Sequence, residues 1–164
     1  MAKHVLSILV ENQAGVLYRV SGLFSRRGYN IDSLSVGVTE DPRYSRITVV
    51  VAGDEQIIDQ IRKQVNKLED VIEVADLYAD SSVVRELALV KVSAVPDARS
   101  EIVGIVDIFR AGIIDVSSRS LTIEITGDQG KIQAFVDLME PYGVIEIVRT
   151  GLTGIQRGDK GIHG

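Results

Sequence analysis

The segment Glu11-Asn12-Gln13-Ala14-Gly15-Val16-Leu17 brings together residue types suited to holding a small charged molecule. A glycine lets backbone approach a ligand closely, and an apolar stripe beginning at Val16 marks a helix start. Helix N-termini present unpaired N–H groups and partial positive charge, which suit an anion such as the α-carboxylate of an amino acid. Asn12 both donates and accepts, so it can orient an ammonium or a carboxylate. Asn30 follows that first helix, and in a site assembled across a dimer it would face the loop of the other chain. The same residues also fit a plain helix start, with Asn12 leading in and Gly15 as a turn glycine.

Other chemistries find little support. Ser21, Ser25 and Ser33 have no histidine near them in sequence, so no nucleophile–base pair is evident. The two histidines, His4 and His163, lack ligand-spaced companions, and cysteine is absent. These facts leave no disulfide framework, thiol nucleophile or thiolate cage, and no metal or catalytic residue is expected. Glu40-Asp41 and Glu69-Asp70 read as solvated loop or helix-end acids. Arg26-Arg27 suits the negative end of a helix. With 18 Lys and Arg against 23 Asp and Glu, the formal charge is −5, which argues against gripping a nucleic-acid backbone.

The elements that would position these residues follow from periodicity. Val5–Val10 is a strand with Leu6, Ile8 and Val10 on one face. Val16, Val20, Leu23 and Phe24 form a helix stripe ending at Gly28. Ile31–Val38 is a strand, Glu40–Arg43 a hairpin loop, and Ile47–Ala52 a strand rich in β-branched residues. Asp54 caps a helix striped by Ile57, Ile58, Ile61, Val65 and Leu68, and Val71–Tyr78 is a fourth strand. The order is β-α-β-β-α-β, the ferredoxin-like arrangement. RNA-recognition domains share it but need aromatics on the first and third strands, which have none here. Acylphosphatases share it too, with an arginine in a glycine-rich first loop. Here Arg19 lies inside the helix and the loop has one glycine.

The second half repeats this grammar. Leu87–Ala94 is a strand, and Pro96-Asp97-Ala98 opens a helix striped by Ile102, Ile105, Val106 and Phe109. Ile113–Val116 and Leu121–Thr126 are strands, Ile132, Phe135, Val136 and Met139 stripe the last helix, and Tyr142–Val148 is the last strand. Gly53-Asp54 and Gly127-Asp128 are offset by 74, while Gly28 and Gly112 are offset by 84, so the second hairpin is expected to be about ten residues shorter. The chain is therefore read as α+β, two tandem ferredoxin-like βαββαβ domains. The first spans 1–79 and the second 83–150, with a glycine-rich tail at 151–164 that should be irregular unless something holds it.

In the first domain, Val5, Ser7, Leu9, Thr48, Val50 and Ala52 face away from the helices. That face is more apolar than a solvated sheet requires, so another module or subunit should cover it. At 45% hydrophobic and 25% charged the composition is that of a globular chain. The first apolar run, Val5–Val10, is shorter than the about 7–15 residues of a leader's apolar region. No run approaches the ~18 of a membrane span, so a cytoplasmic location is expected.

Leu6–Leu17 followed by Arg19–Leu34 resembles the N-terminal ACT domain of the regulatory (small) subunit of acetohydroxyacid synthase, also called acetolactate synthase. Arg85–Val92 and Phe109–Val116 resemble its second domain, and Arg149-Thr150-Gly151 and Arg157-Gly158-Asp159-Lys160 match as well. The resemblance implies a non-catalytic subunit that stimulates a catalytic large subunit and confers feedback inhibition by valine in branched-chain amino-acid biosynthesis. The large subunit would carry thiamine diphosphate, magnesium and FAD and condense 2-oxoacids. The small subunit would hold no cofactor and would self-associate as a homodimer through its ACT domains. It implies an effector site of Asn12, Gln13, Ala14, Gly15, Val16 and Leu17, with Asn30 and Ile31 from the neighbouring chain. In that site Gly15 and Val16 would offer N–H donors to valine's carboxylate. The amide oxygens of Asn12 and Asn30 would accept from its ammonium, and Leu17 and Ile31 would flank its isopropyl group. A stand-alone amino-acid-binding ACT module regulating another enzyme or a transcription factor is the alternative.

Overall fold

The structure is a computed structural model and describes residues 2–163. The chain divides into two compact units. One comprises the described residues up to Val84 together with those from Leu152 onward; the other is Arg85–Gly151.

In the first unit, β1 (Lys3–Glu11), α1 (Val16–Arg26), β2 (Ile31–Val38), β3 (Tyr44–Ala52), α2 (Glu55–Asn66) and β4 (Val71–Leu77) form one antiparallel sheet with two helices. The strand order is β2-β3-β1-β4, so β1 is central and β2 lies at an edge. Alternation along the strands sends Leu6, Ile8 and Val10, with Ile47, Val49 and Val51, into one core. The helix stripes meet them there: Val16, Val20, Leu23 and Phe24 from α1, and Ile58, Ile61 and Val65 from α2, are all buried. The Asp54 side chain caps α2, accepting from Ile57 N–H at 2.9 Å. Gly28, at φ 71°, reverses the chain after α1.

The second unit repeats the topology with β5 (Ser82–Ser93, whose first three residues still belong to the first unit), α3 (Arg99–Ile108), β6 (Gly112–Val116), β7 (Ser120–Gly127), α4 (Gln129–Met139) and β8 (Val144–Arg149), in the order β6-β7-β5-β8. Its core gathers Ala88, Val90 and Val92 with Ile102, Val106, Leu121, Ile123, Ile125, Ile132, Phe135 and Met139. Phe109 meets Phe135 edge-on, with ring centroids 5.4 Å apart. Asp128 caps α4 as Asp54 caps α2, accepting from Lys131 N–H at 2.9 Å.

Three local readings change. Pro96-Asp97-Ala98 forms a short 3₁₀ turn, and α3 starts at Arg99. Glu140–Tyr142 is likewise a 3₁₀ turn, so the last strand of this unit begins at Val144. The left-handed residue after α3 is Arg110, at φ 54°, and not Gly112, which opens β6. Tyr29 N–H donates to Phe24 O and Ala111 N–H to Val106 O, both at 2.9 Å, so the two helix ends correspond at an offset of 82. Against the offset of 74 at Gly53 and Gly127, the second hairpin is eight residues shorter, not ten.

The tail is not irregular throughout. Thr153–Gln156 forms β9, which pairs with β5. Ser35 Oγ donates to Leu152 O at 3.0 Å, and an Arg46 Nη donates to Gly154 O at 3.1 Å. The tail therefore runs along the face of the first sheet opposite the helices, where Ser7, Leu9, Thr48 and Val50 are each at most 1% exposed. A Cβ on Gly154 would lie 2.6 Å from Val84 Cγ1 and 2.9 Å from Val83 O, so a glycine is required there. Among the described residues, no helix is long and apolar enough to cross a membrane.

Candidate functional site

The first β–α junction is built by the end of β1, the turn after it and the start of α1. Asn12 follows β1 directly. Its N–H donates to Arg43 O at 2.8 Å and its Nδ2 to Pro42 O at 2.9 Å, tying it to the β2–β3 hairpin. That bond orients the amide and leaves Oδ1 as an acceptor. Gln13, Ala14 and Gly15 are exposed. Gly15 occupies the N-cap position of α1 at φ 85°, a left-handed conformation glycine adopts without strain. It contributes no side-chain cap, and no acid lies in the first turn. Val16 is buried at 3%, whereas Leu17 is 41% exposed.

The donors at this helix start are not all open. Val16 N–H donates to Gln13 O at 3.4 Å, a long bond that a stronger acceptor would displace. The Gly15 and Leu17 N–H groups have no backbone acceptor among the described residues. Arg19 adds a cation that the linear sequence hides. Its Nη1 lies 3.0 Å from where a Cβ on Gly15 would stand, and its Nε pairs with Asp70 at 2.5 Å. Helical side chains lean toward the N-terminus, so a residue four positions past a cap covers the helix opening. That rule is the signal that could have found it. With Nε engaged by Asp70, Nη1 and the free N–H groups are the donors left for a carboxylate.

Asn30 and Ile31 lie at the opposite end of α1, at the start of edge strand β2. Eleven residues of helix separate them from Gly15, about 16 Å along the axis. One chain therefore does not join them to the 12–17 loop. Asn30 Nδ2 donates to Asp32 Oδ1 at 2.9 Å, again leaving its Oδ1 to accept. Ile31 is half-buried. Among the described residues, no cluster of three or more His, Cys, Asp or Glu could hold a metal ion.

Beside the loop, Arg43 donates through its side chain and its N–H to Asp41, holding that carboxyl at about 2, well below the usual range. Asp41, in the hairpin that anchors Asn12, is thus ionised and already engaged.

Two tandem βαββαβ units, the first with an uncapped glycine opening its first helix, define a tandem ACT-like protein of the ferredoxin-like class. Residues 6–73 match the AHAS small subunit-like ACT domain, and residues 85–158 match the small subunit of acetolactate synthase. The chain belongs to the acetolactate synthase small-subunit family. It is 52% identical over 158 residues to a probable acetolactate synthase small subunit of Archaeoglobus fulgidus, covering 96% of this chain and 99% of that one. It is 52% identical over 159 residues to the acetolactate synthase small subunit of Mycobacterium leprae, covering 97% and 94%. Among solved structures it resembles the acetolactate synthase small subunit of Thermotoga maritima, with a TM-score of 0.90, 42% identity, and 98% and 100% coverage.

Proposed function

We propose that this chain is the non-catalytic regulatory subunit of an acetohydroxyacid synthase. It docks on a catalytic large subunit, stimulates it and makes it sensitive to valine. Thiamine diphosphate, magnesium and FAD belong to that large subunit; this chain contributes the effector site. Family membership supports the partner. The observation that carries the site is the open start of α1, where Gly15 at φ 85° lies beneath the Arg19 guanidinium.

Valine's carboxylate takes the Gly15 and Leu17 N–H groups and Arg19, and displaces Gln13 O from Val16 N–H. Its ammonium is received by Oδ1 of Asn12 and by Oδ1 of Asn30 from a second chain. Its isopropyl group rests against Leu17 and the second chain's Ile31, a change of one methylene there being worth only ~1–3 kcal/mol. Leucine and isoleucine therefore compete. Two β2 edges meeting side by side would bring the two halves of each site together, which makes the active form a homodimer. Inhibition then follows if valine prefers one arrangement of the complex over another.

The test is reconstitution with the catalytic large subunit, followed by activity with and without valine. The wild-type chain should raise activity and confer valine inhibition. Asn12→Ala and Gly15→Asp should abolish inhibition and keep the stimulation. Full valine sensitivity in both variants would refute the site. Valine binding by a chain that neither co-purifies with nor stimulates the large subunit would favour a stand-alone module.

A further inference from the structure

The face of the first sheet beneath the tail contains a second receptor. Ser7 on β1 lies between Thr48 on β3 and Ala75 on β4. It is 1% exposed, and its Oγ has no hydrogen-bond partner among the described residues. A buried hydroxyl left unpaired is destabilising, so it calls for a partner that the protein itself does not supply. Ser7 lines a cavity of about 180 Å³ between the sheet and the tail. Arg46 and Lys160 also line it, and Leu77, Ile155 and Ile162 supply much of its apolar wall. No aspartate or glutamate lines it. Arg46 donates to Gly154 O, but neither Arg46 nor Lys160 has a carboxylate at ion-pair distance among the described residues.

Two unneutralised cations, one unpaired hydroxyl and apolar walls make a specific combination. The cations and the hydroxyl call for an anion. The apolar walls call for a short hydrocarbon group. The absence of an acid leaves no counter-charge for an ammonium. We propose that this cavity binds a small aliphatic carboxylate that carries no ammonium group. Its carboxylate meets Arg46, Lys160 and Ser7 Oγ, and its hydrocarbon part lies against Leu77, Ile155 and Ile162. Because one wall is sheet and the other is tail, the occupant holds the tail to the first sheet. The site is separate from the Asn12–Leu17 loop and does not depend on it.

Calorimetric titration of the purified full chain with sodium isobutyrate, at constant ionic strength in chloride, tests this. Saturable uptake of one isobutyrate per chain is expected, with a dissociation constant on the order of 1 mM. Arg46→Gln and Lys160→Gln should each weaken it about tenfold, equivalent to about 1.4 kcal/mol. Ser7→Ala, which removes the unpaired hydroxyl, should weaken it without destabilising the unliganded chain. Uptake should persist in Gly15→Asp, which separates it from the valine site. The proposal is overturned by no saturable uptake above the chloride control. It is equally overturned by binding unchanged in the Arg46 and Lys160 variants, by loss in Gly15→Asp, by phosphate binding as tightly as isobutyrate, or by isobutylamine binding at the same place.

Discussion

In the proposed site Gly15 combines a conformational and a chemical role. At φ 85° any L side chain is strained, by about 1–2 kcal/mol, while the Arg19 end that a Cβ would meet at 3.0 Å is flexible and can move aside. Gly15→Ala should therefore lower stability by about 1–2 kcal/mol in urea unfolding. Gly15→Asp should in addition capture the Arg19 guanidinium and occupy the carboxylate position, removing valine sensitivity. The neighbouring hairpin has its own signature. A hydrogen bond from the Arg43 side chain, with a second from its N–H, holds Asp41 at about 2. A depressed carboxyl contributes stability above its ordinary pKa and loses it as pH falls through the folded value. The hairpin that anchors Asn12 should thus be unchanged from neutral pH to about 4 and loosen only toward pH 2. An NMR titration should give Asp41 a midpoint near 2; an ordinary carboxylate midpoint would contradict the pairing. The places of Asn12 and Gly15 before a helix and of Asn30 before a strand were legible, because their residue types announce such starts. Arg19 was not, since its relevance depends on a side chain reaching back one turn.

At the level of elements, the two capping aspartates show how directly local chemistry becomes structure. Asp54 and Asp128 each accept an N–H three residues on at 2.9 Å. Replacing either with alanine should cost about 1 kcal/mol by chemical denaturation. The strands and helix stripes could be read from periodicity because burial enforces it: Leu6, Ile8, Val49 and Val51 are all fully enclosed. Two things were hidden for a physical reason. The turn after α3 uses Arg110 in a left-handed conformation where glycine is the usual choice, so the sequence pointed two residues too far. The strand in the tail has only four residues, and what orders it lies far away in sequence, at Ser35, Arg46, Val83 and Val84. Gly154→Val should dislodge it. The expected outcome is faster hydrogen exchange at Leu152–Gln156 and on the β1 and β3 amides beneath, with the second unit's exchange unchanged.

For the molecule as a whole, the decisive surface is the edge of β2. Among the described residues no strand lies on its outer side, and Val36 and Val38 there are 47% and 59% exposed. An unpaired apolar edge is a template for another chain. Val36→Lys with Val38→Lys should shift sedimentation from dimer to monomer and abolish valine binding together, because the proposed site takes Asn30 from the second chain. A symmetric pair of such sites amounts to one valine per chain. Calorimetric titration of valine into the purified protein tests this most directly. The account predicts saturable uptake of one valine per chain in the wild type and none in Gly15→Asp. No uptake of valine, leucine or isoleucine, with or without the catalytic subunit, would contradict it.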